Sequence, residues 1–474
     1  MTSAGRRHRL VVVGDVVLDR DLLGTCERLC PDAPVPVVDV GEVRERPGGA
    51  GLTAMLCQAD DLEVTLVAPI AADENGRRLT GLLTRAGVHL VPLACGGGTR
   101  RKTRVRCAGQ SLLRLDDGGP GTPDRGLPEP AAAAMAAADV LLVSDYGAGT
   151  TASPALREAL GRASARRPVV WDPHPRGATP VAGCALVTPN LAEARAASGN
   201  PAGTPDVVAA ALVRRWAARA VAVTAGEQGA WLSTSADEPS FVAAPAVAAT
   251  DPCGAGDRFS ATVAQALARG SVPSEAVAAA VAEASAWVAA GGAAAFHPRA
   301  AGAPGPARAR RGGTTGATAP PPRRAENGKA AELAAALRRN GGTLVATGGC
   351  FDVLHAGHVA SLEAAARLGD GLVVLLNSDA SVRRLKGPDR PVQSADDRAR
   401  VLLGLRSVDA VVVFDEDDPR TALDRLRPDI WAKGGDYDAS CLPELDLVRS
   451  WGGRVVLLPY LAGRSTTAIL NTTS

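Results

Sequence analysis

Residues 345–358 read VATGGCFDVLHAGH, and this stretch decides how the C-terminal part of the chain folds. An apolar run ends in two glycines, and His355 and His358 follow three residues apart. A buried strand, a tight turn and a helix start account for that order. Outward from it the alternation repeats. AAELAAALRRN, LEAAARLG, DDRARVLLGLRSV, PRTALDRLRP and LPELDLVRSWG read as helices. GLVVLLNSD, DAVVVFDE, DIWAKGG and RVVLLPY read as strands. The sum is a compact doubly wound α/β domain over 329–474, Rossmann-like, whose ligands should collect at the carboxyl ends of its strands.

Thr347, Gly348, Gly349 and Phe351 should lie just past the first of those strands. The helix terminus that follows offers unpaired N–H groups and a positive dipole end, and glycines let backbone approach an anion. Two imidazoles on one helical face can donate to phosphate oxygens as charge builds there. The constellation suits phosphoryl or nucleotidyl transfer; a metal site and structural histidines are the alternatives. Four lysines occur, at 102, 329, 386 and 433. Lys386 in RRLKGPDRP and Lys433 in WAKGGDY stand beside glycines in expected loops, where an ammonium can follow a moving phosphate. Ser465, Thr466 and Thr467 in GRSTTAI either cap a short helix while binding phosphate or simply cap it.

The N-terminal part repeats the α/β pattern. LVVVG, VTLVAPI, VLLVSD, PVVWD, CALVTPN and AVAVTAG read as strands separated by helices. VPVVDVGEVRER and GTRRKTRVRCAGQSLLRLD read as antiparallel strands of a small sheet, a lid over a cleft. This unit spans 8–298. Residues 299–328, rich in Pro, Gly, Arg and Thr, cannot bury enough apolar surface to order themselves and read as a linker. The two halves are therefore expected to fold independently. At 474 residues the chain has room for two or three cores, and a formal charge of +2 makes no case for nucleic acid. Nine cysteines without a CxxC pair, after a start that reads as a first strand rather than a leader, suggest reduced thiols in a cytoplasm. No run of about 20 uncharged apolar residues predicts a membrane span.

In DPCGAGDRFSA, Gly254, Ala255 and Gly256 precede Asp257 at a helix start. Backbone N–H groups there can wrap a transferring phosphate while Asp257 accepts a hydroxyl proton; the bland reading is a glycine turn with a capping aspartate. Asp15 and Asp19 in GDVVLDR, with Gly48 and Gly49 in RPGGAG, suit a polyhydroxylated substrate. Asn190 and Glu193 in TPNLAEA follow a strand where Mg²⁺–ATP could gather. Lys102 and Arg104 in RRKTRVR are either contacts to a substrate phosphate or the charges of an edge strand.

GCFDVLHAGH, NSDASVRRLKG, RPVQ, KGGDY and RSTTAI resemble the cytidylyltransferase-type nucleotidyltransferases. GDVVLDR, CPDAPVPVV, RPGGAG, LLRLD, VSDYGAG, TPNLAE and CGAGD resemble the ribokinase-type sugar kinases. Together, in this order, they resemble the bifunctional heptose 7-phosphate kinase/heptose 1-phosphate adenylyltransferases. The resemblance implies ATP as substrate, Mg²⁺, sugar phosphates as partners, and no membrane or nucleic-acid partner. It also makes a homodimer plausible. It gives Asp257 as the kinase base, Gly254 to Gly256 as the anion hole, and Asp15, Asp19, Gly48 and Gly49 toward the sugar. Asn190 and Glu193 fall on the magnesium–nucleotide side. In the second half it gives His355, His358 and Lys386 to the transition state. Ser465, Thr466, Thr467, Asn377, Asp379 and Arg398 then lie near the nucleotide, and Lys433 and Asp436 near the sugar phosphate. The chain departs from the family at Gly348, where asparagine is usual, and at Leu52, Cys253 and Arg258. The last three imply a weakened, altered or inactive kinase. That leaves two alternatives: an adenylyltransferase joined to a degenerate sugar-phosphate-binding unit, or transfer of a nucleotidyl group to another sugar or polyol phosphate.

Overall fold

LVVVG becomes the end of the strand His8–Gly14, whose last five residues are all buried. The computed structural model describes residues 7–107, 110–119, 123, 126–234, 238–248, 251–296, 327–434 and 442–458. The chain divides into two units, Met1–Ser235 with Ala244–Gly305, and Ala236–Ala243 with Pro306–Ser474.

In the first unit His8–Gly14 sits inside a sheet. Its order is Gly229–Thr234, Ala220–Thr224, Leu186–Val187, Val169–Asp172, Val140–Ser144, His8–Gly14, Leu62–Pro69 and His89–Leu93. Neighbours are parallel except the first pair. The chain leaves His8–Gly14 toward one edge and later returns to its other side, so the strand order reverses between it and Val140–Ser144. That reversal opens a crevice at the strands' carboxyl ends. Gly14 is required there, because a Cβ would lie 1.9 Å from the Ser144 carbonyl oxygen.

The expected small sheet is present, ordered Pro36–Gly49, Val16–Leu29, Arg101–Cys107 and Gln110–Asp117. Its long strand Val16–Leu29 has no counterpart in the sequence reading, which places Asp15 and Asp19 of GDVVLDR beyond the first strand. The charged run Asp19 to Asp21 hides it, although Asp21 is itself buried.

The second unit has the parallel order Ala410–Phe414, Gly371–Asn377, Leu344–Gly349, Ile430–Gly434 and Arg454–Leu458, with Ser240–Ala243 beside the last. Its core includes Leu344, Ala346, Val373, Leu375 and Trp431. Here the order reverses between Leu344–Gly349 and Ile430–Gly434, which carry the GGCFD turn and Lys433. Three expectations are corrected. Lys386 is not in a loop but ends the helix Asp379–Lys386, and Lys433 is on a strand. Thr347, Gly348 and Gly349 likewise belong to the strand Leu344–Gly349 rather than lying beyond it. Among the described residues no helix is long and apolar enough to cross a membrane.

Candidate functional site

The second unit's site starts at the turn after Leu344–Gly349. Phe351 and Val353 hold positive φ, 43° and 57°, a conformation side chains tolerate only when their surroundings enforce it. Asp352 supplies that enforcement. Its buried carboxylate accepts from the amides of Val392 (3.0 Å) and Gln393 (3.2 Å) and pairs with Arg390. Burial alone would raise its pKa, but the Val392 amide, Arg390 and the Gln393 amide together hold it below the usual carboxylate value. The RPVQ segment is thereby tied to GCFD.

His355 is the N-cap of the helix Ala356–Ala366, and its Nδ1 accepts from the Gly357 amide at 3.1 Å. Neutral His355 must then carry its proton on Nε2. His358 lies in the first turn, and the two rings stack at 3.9 Å with 21° between planes. The pair is thus formed by a cap and a helical residue, not by two helical residues. Phe351 tilts against His358 at 5.4 Å. Burial, followed by the charges of His355 and Lys386, pushes the His358 pKa down to about 4. Its Nδ1 is buried without a hydrogen-bond partner among the described residues. A neutral imidazole with an unmet polar atom at a helix N-terminus is suited to meet an anion.

Arg398 sits beneath this site rather than in it. Its side chain is fully buried and donates to the carbonyls of Cys350 and Gln393 and to Asp379 (2.8 Å). No surface is left to touch a nucleotide, so its contribution is to hold the turn. Asn377 is similarly buried and donates to Ser381 at 3.0 Å. Lys433 pairs with buried Glu444 at 2.9 Å. Gly348 is explained by packing: a Cβ there would lie 2.7 Å from the Trp431 ring, which fills the space a side chain would need. Asp436, Ser465, Thr466 and Thr467 lie outside the described residues.

In the first unit, Gly254 (φ 79°) caps the helix Ala255–Ala268, whose first turn carries Ala255, Gly256 and Asp257. The Asp257 carboxylate is buried. It accepts from Tyr146 Oη at 2.7 Å to each oxygen and from Thr53 Oγ1 at 2.6 Å. Burial raises its pKa, opposed first by Thr53 and then by Tyr146. Asp172 is raised well above its ordinary value by burial, then by the charges of Asp257 and Glu193. Asp19 pairs with Arg104 at 3.2 Å and lies so close to Gly48 that a Cβ there would sit 2.4 Å from Oδ2. Lys102 acts on Asp257 through its charge. Gly49 (φ 58°) caps the helix Ala50–Leu56.

Four residues have partners that the sequence reading did not assign. Asp15, expected toward the sugar, accepts from the amides of Tyr146, Ala148 and Thr150 (2.9–3.0 Å), so it pins the loop that carries Tyr146. Asn190 and Glu193 form a capping box for the helix Leu191–Ser198. Arg258 turns away from the site to Glu283 and the Leu56 carbonyl. Leu52 is buried beside Gly254, 3.3 Å from where a Cβ there would stand. Cys253 uses its carbonyl to receive Trp287 Nε1 at 2.9 Å. Thr53, Tyr146 and Asp172 escaped the sequence reading. VSDYGAG was the available signal for Tyr146; nothing in GLTAML singles out Thr53.

Residues 7–300 match the pfkB family carbohydrate kinase model, and residues 346–458 match the cytidylyltransferase-like model. Over 98% of its length the chain is 51% identical to the bifunctional protein HldE of Streptomyces coelicolor, of which it covers 96%. It belongs to the HldE family. The HldE proteins of Halorhodospira halophila and Alkalilimnicola ehrlichii are 40% and 38% identical, each over 98% of this chain and over 97% and 96% of their own length. Among solved structures, Arabidopsis thaliana ribokinase complexed with ribose and ATP is 20% identical, with a TM-score of 0.48 over 60% of this chain and 93% of that one. As an HldE-family member the chain is a bifunctional kinase and nucleotidyltransferase of ADP-heptose biosynthesis, with ATP-binding folds in both parts.

Proposed function

We propose that the first unit phosphorylates C1 of D-glycero-D-manno-heptose 7-phosphate and that the second makes ADP-heptose from D-glycero-D-manno-heptose 1-phosphate. In the first step Asp257 takes the proton of the C1 hydroxyl as its oxygen attacks the γ-phosphorus of ATP, and ADP leaves. The first-turn amides after Gly254 receive the charge that builds on the phosphoryl oxygens. Asp19, Lys102 and Arg104 on the small sheet face the sugar phosphate. A separate phosphatase must remove the 7-phosphate before the second step. There the 1-phosphate oxygen attacks the α-phosphorus of ATP and pyrophosphate leaves, so alignment and charge stabilisation suffice and no base is needed. His355 through Nε2, His358 and Lys386 stabilise the transition state. Residues of the Ser465–Thr467 cluster complete the phosphate contacts.

Mg²⁺ bound to the triphosphate would neutralise its charge in both steps. Glu193 is the residue that fits it in the first unit, through water. Its Oε2 accepts from the Asn190 amide while Oε1 has no partner among the described residues. The small sheet exposes Leu29, Val43, Leu113 and Leu115, which favours a homodimer formed through it.

The observation that carries this reading is the pair of helix N-termini, one bearing Asp257 and one the stacked histidines, each following a motif of its own enzyme class. The test is product identification with ATP and each heptose phosphate across a nucleotide panel. Formation of CDP-polyol instead would replace the second half of the reading. A second reading, a sugar-phosphate-binding first unit without transfer, is favoured by Leu52, which offers no donor or acceptor beside Gly254. Leu52→Asn should raise kinase turnover if the pocket merely lost one contact. Sugar-phosphate binding without transfer in both forms would establish the second reading.

A further inference from the structure

We infer that Thr53 is a positioning residue of the kinase, the middle of a hydroxyl relay from Ser144 that orients Asp257 and keeps it a carboxylate in a buried site. The inference rests on Asp257 as the base and concerns what surrounds it. Thr53 is fully buried, in the helix Ala50–Leu56. Three acceptors stand within reach of its hydroxyl: Asp257 Oδ1 at 2.6 Å, Ser144 Oγ at 3.1 Å and the Gly49 carbonyl at 3.3 Å. A hydroxyl has one proton to give, and an ionised carboxylate can only accept. The short contact to Asp257 therefore takes the proton of Thr53. Ser144 Oγ, also fully buried, is left to donate to Thr53. The direction of the chain is Ser144 to Thr53 to Asp257, and each donor polarises the next. Tyr146 donates to the same carboxylate from the other side.

The relay has a task because burial and the charge of Asp19 on the small sheet work against the carboxylate; Thr53 opposes them most, ahead of Tyr146 and Lys102. Asp172 on the main sheet is itself pushed toward its neutral form by burial and by the Asp257 charge. Cys57, which follows the Thr53 helix, is held as a thiol by burial, and the Tyr146 phenol is held neutral chiefly by burial. Arg258, the next residue on its own helix, pairs with Glu283. Burial pulls Asp257 toward its neutral acid, which cannot accept a proton; the relay opposes that pull. Removing a donor to the charged form raises the pKa, so the loss of activity should be largest at low pH and should recover as pH rises.

The test is the pH profile of kcat/KM for phosphoryl transfer by the full chain with ATP, Mg²⁺ and heptose 7-phosphate. Thr53→Val, which keeps shape and loses the hydroxyl, should move the acidic limb upward by about half a unit or more. It should lose about tenfold at the foot of that limb and come within about threefold of the parent at pH 9. Thr53→Ser should restore the parent profile, and Ser144→Ala should move the limb the same way by less. Asp257→Asn separates this inference from the reading beneath it: it should abolish transfer. If Asp257→Asn is dead while Thr53→Val and Ser144→Ala both keep the parent limb, the relay is overturned and the base stands. Full activity of Asp257→Asn would overturn both. If Thr53→Val fails to fold, the Ser144→Ala limb decides.

Discussion

Arg398→Met removes a buried guanidinium while roughly conserving volume, and the structure sets the size of the effect. Arg398 serves three acceptors: the Cys350 and Gln393 carbonyls and Asp379 Oδ1. Asp379 keeps about a third of its side chain in solvent and can be rehydrated, so its loss is small. The two carbonyls lose a donor for which nothing substitutes, at about 1–3 kcal/mol each. Burying methionine in place of a desolvated cation returns part of this. A net loss of about 3 kcal/mol is a large share of the about 5–15 kcal/mol that holds a domain together. For a unit of this size it corresponds to a fall in melting temperature of about 6–12 °C. Scanning calorimetry of the full chain measures the fall. Nucleotidyl transfer, read as pyrophosphate release, should drop as well, because Cys350 leads directly into the turn that carries Phe351 and Asp352. Arg398→Lys should recover only part, since one ammonium cannot span three acceptors set for a planar fork. The loss should persist in high salt, because a fully buried charge is poorly screened. A variant that melts within about 2 °C of the parent and turns over normally would show that the guanidinium does not hold the turn.

Alanine at His355 or His358 should lower nucleotidyl transfer by about 10²-fold with little change in melting, and parent-like turnover in both would remove them from the site. His358, with its pKa near 4, is neutral in the free protein at pH 6, and a triphosphate favours its charged form; ATP binding there should therefore take up protons. Calorimetry in buffers of different ionisation enthalpy measures that uptake, and the His358→Ala variant should abolish it. Gly48→Ala should displace the Asp19 carboxylate and raise KM for the sugar phosphate more than it lowers melting, as steady-state kinetics will show. The depressed pKa of Asp352 contributes stability that is present above the ordinary carboxylate value and lost as pH falls through the folded value. Acid titration of Asp352→Asn should thus lack one component of the parent's low-pH destabilisation.

Most strands and both glycine turns were legible in the sequence because burial and chain reversal impose local patterns. The His355–His358 pair and Asp257 could be read for the same reason: each stands beside its own turn. Their supports could not. Asp352 finds its amides about forty residues onward, and Thr53 meets Asp257 from more than two hundred residues away. Arg398 stands in DDRARVLL, where an arginine in a run of charged residues suggests solvent, yet it is fully buried. Nor does a sequence state direction. Arg258 beside the GAGD turn was one of three departures that suggested a weakened, altered or inactive kinase, but its guanidinium points to Glu283. Asp15 looked like a ligand for hydroxyls until its oxygens proved to be held by loop amides.

The strand Ser240–Ala243 lies beside Arg454–Leu458, although the chain between them holds most of the second unit. Phe241 within it is almost fully buried. The order of synthesis and the order of assembly therefore differ. On the ribosome this strand emerges long before Arg454–Leu458, which arrives only near the end of translation. A gene cut between the two motif-bearing regions would not yield two finished proteins. One product would trail an apolar strand, and the other would present Arg454–Leu458 as an open edge able to recruit another chain. Fission into two independent polypeptides would then require that edge to be rebuilt with charge or proline, and joining the regions in the reverse order would require a connection long enough to return the strand to its place.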